Sequence, residues 1–257
     1  MLQPIGKSVS GESARHPLDE VIWRALNSVQ KPLAEGDEFA RRYPAAVAPF
    51  AATIDLNPLS FRSLSTLMGP NEDRIALFTP TETQPPPPFS VFLREKVDQM
   101  ILAETETCEQ PPVTEVEILR QMDVPEMLAL TSITQPGPFG PRTIELGKYL
   151  GVRRGGALAA MAGERMRLEG FTEISAVCVN PAYRGHGLTT KLIRMLAAPI
   201  FRRYETPFLH VFNSNHQAIS LYRKLGFTLR RHLNLTVLGM DDAAVERGAP
   251  SIGSSRS

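Results

Sequence analysis

The stretch Val177-Cys178-Val179-Asn180-Pro181-Ala182-Tyr183-Arg184-Gly185-His186-Gly187-Leu188-Thr189 decides the fold of this chain. Its first residues predict a strand, its two glycines predict a short turn, and Leu188 begins a helix. The backbone N–H groups at a helix N-terminus lack intrahelical acceptors and can hold a phosphate or pyrophosphate. Because glycine has no Cβ atom, an anion can approach the backbone closely at Gly185 and Gly187. The stretch therefore predicts an anion-binding turn between a strand and a helix.

Two common phosphate-binding motifs are excluded at this turn. No Gly-Lys-Ser/Thr triplet follows it, as a P-loop requires. The dinucleotide fingerprint is also incomplete, because its third glycine and its acidic residue are missing. Taken alone, the turn leaves open the alternative of a tight turn that serves packing only.

A second motif extends from Asn213 to Phe227 and reads N-S-N-H-Q-A-I-S-L-Y-R-K-L-G-F. Its helical spacing places four side chains on one face, namely Ala218, Leu221, Tyr222 and Leu225. We expect Ser214 and Gln217 to cap the helix at its start and Gly226 to end it. Tyr222 is a functional candidate, since a phenol can donate its proton to a departing thiolate. The alternative is a core tyrosine with a satisfied hydroxyl.

Together, the two segments resemble the coenzyme A signature of the GNAT superfamily of N-acetyltransferases. The family pattern Arg/Gln-x-x-Gly-x-Gly/Ala is matched from Arg184 onward, except that Thr189 replaces the final small residue. The pattern Asn-x-x-Ala-x-x-Leu-Tyr-x-x-Leu-Gly-Phe is matched in full from Asn215 to Phe227. The resemblance covers about half of the chain. Thr189 adds bulk near the pyrophosphate, but it also offers a hydroxyl.

The resemblance implies that the chain binds acetyl-CoA. Backbone groups of Val177 and Val179 would hold the pantetheine arm like an added strand, and the N–H groups from Gly185 to Thr189 would cradle the pyrophosphate. Asn215 would contact the pantetheine, and Tyr222 would protonate the leaving thiolate. The expected coenzyme A-binding residues are Val177, Cys178, Val179, Arg184, Gly185, His186, Gly187, Leu188, Thr189, Asn215 and Tyr222.

Acetylation of an amine also needs a base. An alkyl amine has a pKa near ~10.4, so freeing its lone pair at pH 7 costs roughly 4–5 kcal/mol. Glu173 is the first candidate, because strand alternation places it on one face with Ser175 and Val177. It would act directly or through a water molecule. Glu164 on the preceding strand is the second candidate, and a solvent-facing glutamate is the alternative for each.

Three other side chains in this region favour structural roles. His210 and His216 lie nearby in the predicted fold, and a structural histidine is the preferred interpretation of each. Cys178 suggests a thiol nucleophile, but no Cys/His motif frames it. Its side chain should point away from the face of Val177 and Val179, which favours a small buried thiol.

Composition excludes several functional classes. The 257 residues are 42% hydrophobic and 21% charged, which suits an ordinary globular core. The net charge of +1 provides no basic field for nucleic acid. No apolar run approaches the ~20 residues of a membrane span, and no signal peptide is evident. The cysteines, Cys108 and Cys178, form neither a disulfide framework nor a metal-ligand spacing. We therefore expect a cytoplasmic protein without a metal.

The element pattern predicts an α/β (α+β) fold with a GNAT-like mixed central sheet flanked by helices. We expect a GNAT domain over residues 113–240, with the order β-α-loop-β-β-β-α-β-α-β. Residues 18–108 would form an N-terminal accessory or cap domain, divided from it around 105–112. The segment 89–102 is compatible with strand, helix or both. Residues 1–17 and 241–257 are expected to be flexible tails.

The role of the N-terminal half is open between two alternatives. It is either a degenerate GNAT-like half, as in tandem GNAT proteins, or a small cap that shapes the acceptor pocket. The resemblance implies that loops near the first helix line the acceptor pocket, so the Pro/Gly loop 135–142 would form one of its walls.

The sequence as a whole predicts an acetyl-CoA-dependent N-acetyltransferase in which a primary amine attacks directly. The acceptor would be a small-molecule or peptide amine, with neither nucleic acid nor membrane as partner, and the protein would be a monomer or homodimer. The alternative is a non-catalytic acyl-CoA-binding sensor or regulatory module. A third possibility is an acyltransferase for longer acyl groups.

Overall fold

The computed structural model describes residues 16–69, 73–103 and 115–240. The helices of this part of the chain are α1 (Val21–Asn27), α2 (Pro58–Thr66), α3 (Val124–Thr134), α4 (Leu188–Arg202) and α5 (His216–Lys224). The strands are β1 (Glu35–Gly36), β2 (Ala40–Arg42), β3 (Ala51–Thr53), β4 (Ile75–Thr79), β5 (Phe89–Leu102), β6 (Glu117–Leu119), β7 (Tyr149–Arg154), β8 (Ala157–Leu168), β9 (Phe171–Val179), β10 (Thr206–Phe212) and β11 (Phe227–Met240). None of the helices in these segments is long and apolar enough to span a bilayer.

A mixed eight-stranded sheet forms the centre of the protein. Its strand order is β4-β11-β5-β10-β9-β8-β7-β6, and β9 pairs with β10 in parallel while the other neighbours are antiparallel. The element order from β6 to β11 follows the predicted pattern. The mixed sheet with flanking helices confirms the predicted fold class.

The N-terminal residues contribute to two sheets. Strands β1, β2 and β3 form a small sheet of their own, whereas β4 and β5 join the central sheet. The segment left open between strand and helix is thus the strand β5, which lies between β10 and β11. The expected division around 105–112, Cys108 and most of the expected tails lie outside the described residues. The assignment of residues 18–108 to a separate accessory domain stays a prediction.

Helices cover both faces of the central sheet. Neighbouring residues of β10 alternate between them, so Phe208 packs in the cluster around α1 and Leu209 in the cluster around α4 and α5. We call these the α1 face and the α4 face. The α1 face also carries α3, whose buried Met127 packs with Tyr149. Helix α4 is amphipathic, and its apolar stripe of Leu188, Leu192, Ile193 and Leu196 is buried against the sheet.

Gly163 on β8 permits the closest packing on the α1 face. A Cβ atom on Gly163 would stand 2.2 Å from Cδ1 of Tyr149. The Tyr149 side chain cannot easily yield, because it is buried to 1% exposure among Phe139, Met127 and their neighbours. The register of β7 on β8 therefore depends on a residue without a side chain at this position.

Gly163→Ala is expected to lower the free energy of unfolding by about 1–3 kcal/mol, because an added methyl group overpacks a filled core. The measurement is urea denaturation followed by circular dichroism. Gly69→Ala is the matched control, since its new Cβ would meet Asp73 at an ordinary 3.5 Å. Equal stability of the two variants would contradict the packing argument.

Candidate functional site

An opening in the sheet lies between β9 and β10. The two strands pair at three positions, the last of which joins Glu173 to Phe208. Beyond it, β9 continues to Val179, while β10 continues to Phe212 in pairing with β5. In the described chain, the β9–β10 ladder goes no further than this pair. The backbone of β9 from Ile174 onward therefore presents an edge that an extended amide-bearing molecule can pair with.

A β-bulge at Ala176 changes the direction of the β9 side chains. Ala176 has a positive φ of 51°, and the register with β8 shifts between the pairs Gly163–Ser175 and Met161–Cys178. As a result, Val177 packs on the α4 face, whereas Cys178 packs on the α1 face. The predicted separation of Cys178 from Val177 and Val179 is confirmed.

The bulge also corrects one prediction about Glu173. Ile174 packs on the α4 face, so its neighbour Glu173 lies on the α1 face. Glu173 therefore does not share a face with Val177, as simple alternation predicts. The extra residue between them moves Val177 to the opposite side of the sheet.

The glycine turn stands where the β9 edge ends. After β9, residues 181–183 form one 3-10 turn, and Gly187 takes the N-cap position of α4 with a left-handed φ of 71°. The first hydrogen bond of the helix runs from Lys191 N–H to Gly187 O, so the N–H groups of residues 188–190 have no partner in the preceding turn. A Cβ atom on Gly185 or Gly187 would meet no atom within 4 Å. The turn is thus an exposed set of backbone donors with open space around it.

Helix α5 presents the second motif on the same α4 face. Its N-cap is Asn215, whose Oδ1 accepts from Ala218 N–H at 3.1 Å. The expected cap of Ser214 and Gln217 is therefore wrong, because the Asn215 side chain satisfies that donor. Tyr222 packs in the cluster that also contains Val177 and Val179. Burial raises the pKa of Tyr222 to about 12, so the phenol keeps its proton at neutral pH.

Comparisons with known proteins give the family. A family model described as FR47-like protein matches residues 149–235. N-alpha-acetyltransferase RimI of Mycobacterium tuberculosis is 38% identical in an alignment of 111 residues that covers 40% of this chain and 68% of RimI. The chain belongs to the GNAT family of acetyltransferases.

Solved structures of GNAT proteins extend the similarity to the N-terminal half. A GNAT-family acetyltransferase structure from Novosphingobium aromaticivorans is 39% identical, with a TM-score of 0.82, over 88% of this chain and 99% of that one. A GCN5-related N-acetyltransferase from Kribbella flavida is 13% identical and shares the fold, with a TM-score of 0.53 over 86% of this chain and 93% of that one. This GNAT protein is therefore an acyltransferase, and its fold class and family agree with the predictions.

Glu173 of the GNAT protein is a buried ion-pair partner. Its carboxylate has no solvent exposure and accepts from Arg165 Nε at 2.8 Å and Nη2 at 2.6 Å. The Met166 amide and Nδ1 of His210, at 2.8 Å, donate to it as well. Burial opposes ionisation, but Arg165 and then His210 outweigh it and lower the pKa of Glu173 to about 2. Glu173 is therefore a carboxylate throughout the neutral range.

The hydrogen bonds around His210 fix its tautomer. A carboxylate only accepts, so Nδ1 of His210 must carry a proton toward Glu173. On the other side, Nε2 lies 3.0 Å from the amide nitrogen of Gln99, which only donates. The amide oxygen of Gln99 in turn accepts from Arg230. In this arrangement Nδ1 of His210 faces Glu173 and Nε2 faces the amide of Gln99.

The second candidate base has a different environment. Glu164 pairs in register with Ile174 and so lies on the α4 face, opposite to Glu173. Its Oε1 lies 3.1 Å from Nη2 of Arg203, directly after the C-terminus of α4.

Burial raises the pKa of Cys178 to about 11, so its thiol stays protonated at neutral pH. The interpretation of Cys178 as a buried thiol agrees with this environment.

The structure brings some of the predicted residues together and separates others. The β9 edge, the glycine turn and Tyr222 lie on or beside the α4 face, while Glu173 lies on the α1 face. Sequence reasoning missed Arg165 and Gln99, which hold Glu173 and His210 in place. A signal was present, because Glu164, Arg165 and Arg167 place three charges in a strand whose other residues are apolar, and a buried charge requires a partner.

Glu173→Gln is expected to lower the free energy of unfolding at pH 7 by about 3–5 kcal/mol, because it leaves the buried Arg165 without its counter-charge. Since the pKa of Glu173 is below its ordinary value of 4.5, its stabilising effect is present above pH 4.5 and is lost as the pH falls toward 2. The difference between wild type and variant should therefore shrink in urea titrations below pH 4.5.

Glu145→Gln is the control for this prediction, because Glu145 forms an exposed ion pair with Arg142 at 2.7 Å. It should change stability little at any pH, since exposed pairs are screened by solvent. A Glu173→Gln variant as stable as Glu145→Gln at pH 7 would contradict the assignment of a buried, charged pair.

Proposed function

We propose that this GNAT protein transfers an acetyl group from acetyl-CoA to a primary amine by direct attack. The observation that carries the proposal is the β9 edge, which opens beside β10 and leads to the exposed N–H groups of the glycine turn. An extended molecule fits this arrangement if its amides pair with the β9 edge and its pyrophosphate accepts from the N–H groups of the turn. Acetyl-CoA supplies an acetyl group activated as a thioester.

The residues of the chain would bind coenzyme A in two ways. Backbone groups of Val177, Cys178 and Val179 would pair with the pantetheine amides. The N–H groups between Gly185 and Thr189, with the positive end of the α4 dipole, would hold the pyrophosphate. Arg184 and His186 are exposed in the same turn, and Nδ1 of His186 lies 3.0 Å from the Arg184 carbonyl oxygen, which would stiffen the turn. Asn215, at the start of α5, would contact the pantetheine.

Acetyl transfer requires two proton movements, for which the chain offers two groups. As the N–C bond forms and the C–S bond breaks, one amine proton leaves and the sulfur gains one. We assign the first proton to Nε2 of His210, oriented by the Glu173 carboxylate, because the oxygens of Glu173 already accept from Arg165, Met166 and His210. Gln99 must release Nε2 for this step. Tyr222 would donate the second proton to the sulfur.

The acceptor and the role of the N-terminal half are also proposals. The name of the RimI relative refers to N-alpha acetylation, which makes a peptide α-amine one candidate acceptor beside a small-molecule amine. We propose that residues 18–108 serve as the accessory part that shapes the acceptor pocket. We further propose that the enzyme acts in the cytoplasm.

Tyr222→Phe is expected to lower kcat for acetyl transfer about 10²-fold while binding of coenzyme A is retained, because only the proton donor is removed. The measurements are thiol release with acetyl-CoA over a panel of primary amines and calorimetric titration of coenzyme A. Tyr204→Phe is the matched control, since Tyr204 is 96% exposed. Full activity of Tyr222→Phe would contradict its role. Coenzyme A binding without turnover of any amine would instead support a non-catalytic binding module.

His210→Gln is expected to lower kcat/KM at pH 7 by about 10²-fold or more, because a glutamine can still donate to Glu173 but accepts no proton. The loss should shrink as the pH approaches ~10, where the amine is increasingly unprotonated without help. The measurement is the pH profile of kcat/KM for one amine. A loss of the same size at every pH would contradict a role in proton removal.

A further inference from the structure

A cavity of about 590 Å³ lies on the α1 face, where it is lined by α1, β3, β4 and the loop after β3. Its volume falls in the range of small-molecule sites in proteins. Apolar side chains supply much of its wall, including Trp23, Leu77 and Phe78. Its elements come mainly from the N-terminal half, to which the coenzyme A motifs assign no role.

One wall of this cavity reaches His210. The ring of Phe78 lines the cavity and packs against the imidazole of His210, with 4.6 Å between the ring centroids. Asp19 lines the cavity as well and forms an ion pair with Arg230, which donates to Gln99 beside His210. The cavity is therefore separated from the proposed proton acceptor by a single aromatic ring.

The polar part of the lining is mainly acidic. It contains three carboxylates, from Asp19, Glu20 and Asp55, and one guanidinium, from Arg231. Asp19 forms ion pairs with Arg230 and Arg231, and Oε2 of Glu20 lies 3.5 Å from Nη2 of Arg24.

Asp55 differs from these two carboxylates in its partners. Its oxygens accept from the backbone and side chain of Asn57 and from the Ser60 hydroxyl, all of which are neutral donors. Among the three carboxylates of this cavity, Asp19 and Glu20 lie beside arginines, whereas the hydrogen-bond donors of Asp55 are uncharged. A cationic ligand would be attracted to it, and a carboxylate would be repelled.

We propose that this cavity binds the acceptor of the acetyl transfer, and that the acceptor is a primary amine with an apolar or aromatic body and no carboxylate. The body would pack against Trp23 and Leu77, and the amine end would point past Phe78 toward His210. Asp55 would draw ammonium groups to the cavity and disfavour free amino acids. This inference rests on the proposed acetyl transfer for the reaction, but binding to the cavity is measurable without it.

Trp23 makes the cavity observable, because it is the single tryptophan of the chain and lines the cavity wall. The experiment titrates the full chain with 2-phenylethylamine and, separately, with phenylalanine, which adds only a carboxylate to the same body. Tryptophan fluorescence excited at 295 nm reports binding, since neither compound absorbs there. We expect a saturable change with 2-phenylethylamine that weakens with added salt, and a much weaker response to phenylalanine.

Asp55→Asn tests the charge, and Asp37→Asn is its matched control. Asp37 is likewise an exposed carboxylate that accepts from nearby backbone and from a serine of α2, but it lies outside the cavity lining. Asp55→Asn should raise the Kd of 2-phenylethylamine by about 2- to 5-fold, the size of an exposed ion pair. Its KM in acetyl transfer should rise by a similar factor with kcat unchanged, and Asp37→Asn should change neither.

The outcomes separate this inference from the proposed function. No saturable fluorescence change, equal binding of phenylalanine, or equal effects of the two asparagine variants would overturn the cavity as the acceptor site. Acetylation of 2-phenylethylamine without binding at Trp23 would overturn it as well and leave the proposed function intact. Binding at Trp23 with no turnover of any amine would refute the acetyl transfer, and with it the assignment of the bound amine as acceptor.

Discussion

The parallel ladder between β9 and β10 ends at Glu173 and Phe208, and the placement of the candidate site follows from that limit. Two parallel strands that stop pairing leave unsatisfied backbone groups along both inner edges. The bulge at Ala176 then increases the local twist of β9 and directs its end toward the glycine turn. The backbone edge, the N-terminus of α4 and the half-buried Tyr222 are consequently neighbours, although they come from three separate segments of the chain.

On the α1 face, the positions of the buried side chains are determined mainly by electrostatics. The Glu173 carboxylate has no solvent-exposed surface, and a buried charge of this kind is tolerated only with a well-placed counter-charge. Arg165 meets that requirement and is itself positioned over the Phe50 ring, 4.7 Å from its centroid. The same carboxylate fixes the proton of His210 on Nδ1. One buried pair therefore stabilises the fold and determines which imidazole nitrogen can take up a proton.

The sequence predicted the motifs well because they are local. The glycine turn, the helix that follows it and the helix containing Tyr222 depend on spacing within a few residues, and the structure has all three. The prediction that Glu173 shares a face with Val177 is wrong because of the bulge at Ala176. The bulge depends on the left-handed backbone conformation of Ala176, which the alternation of residue types in the sequence does not reveal. The partners of Glu173 were not predictable either, since His210 is brought to it by a crossover through α4.

The position of β5 in the middle of the sheet has a consequence for how the chain folds. Its partners Phe227 and Phe208 follow it by more than a hundred residues, as the pairs Leu102–Phe227 and Ile101–Phe208 show. During synthesis, β5 leaves the ribosome long before β10 and β11 exist, and its two edges stay unpaired in the meantime. Such long-range pairing slows folding and exposes strand edges to association with other chains. The strand β5 can therefore complete its pairing only after both β10 and β11 have been synthesised.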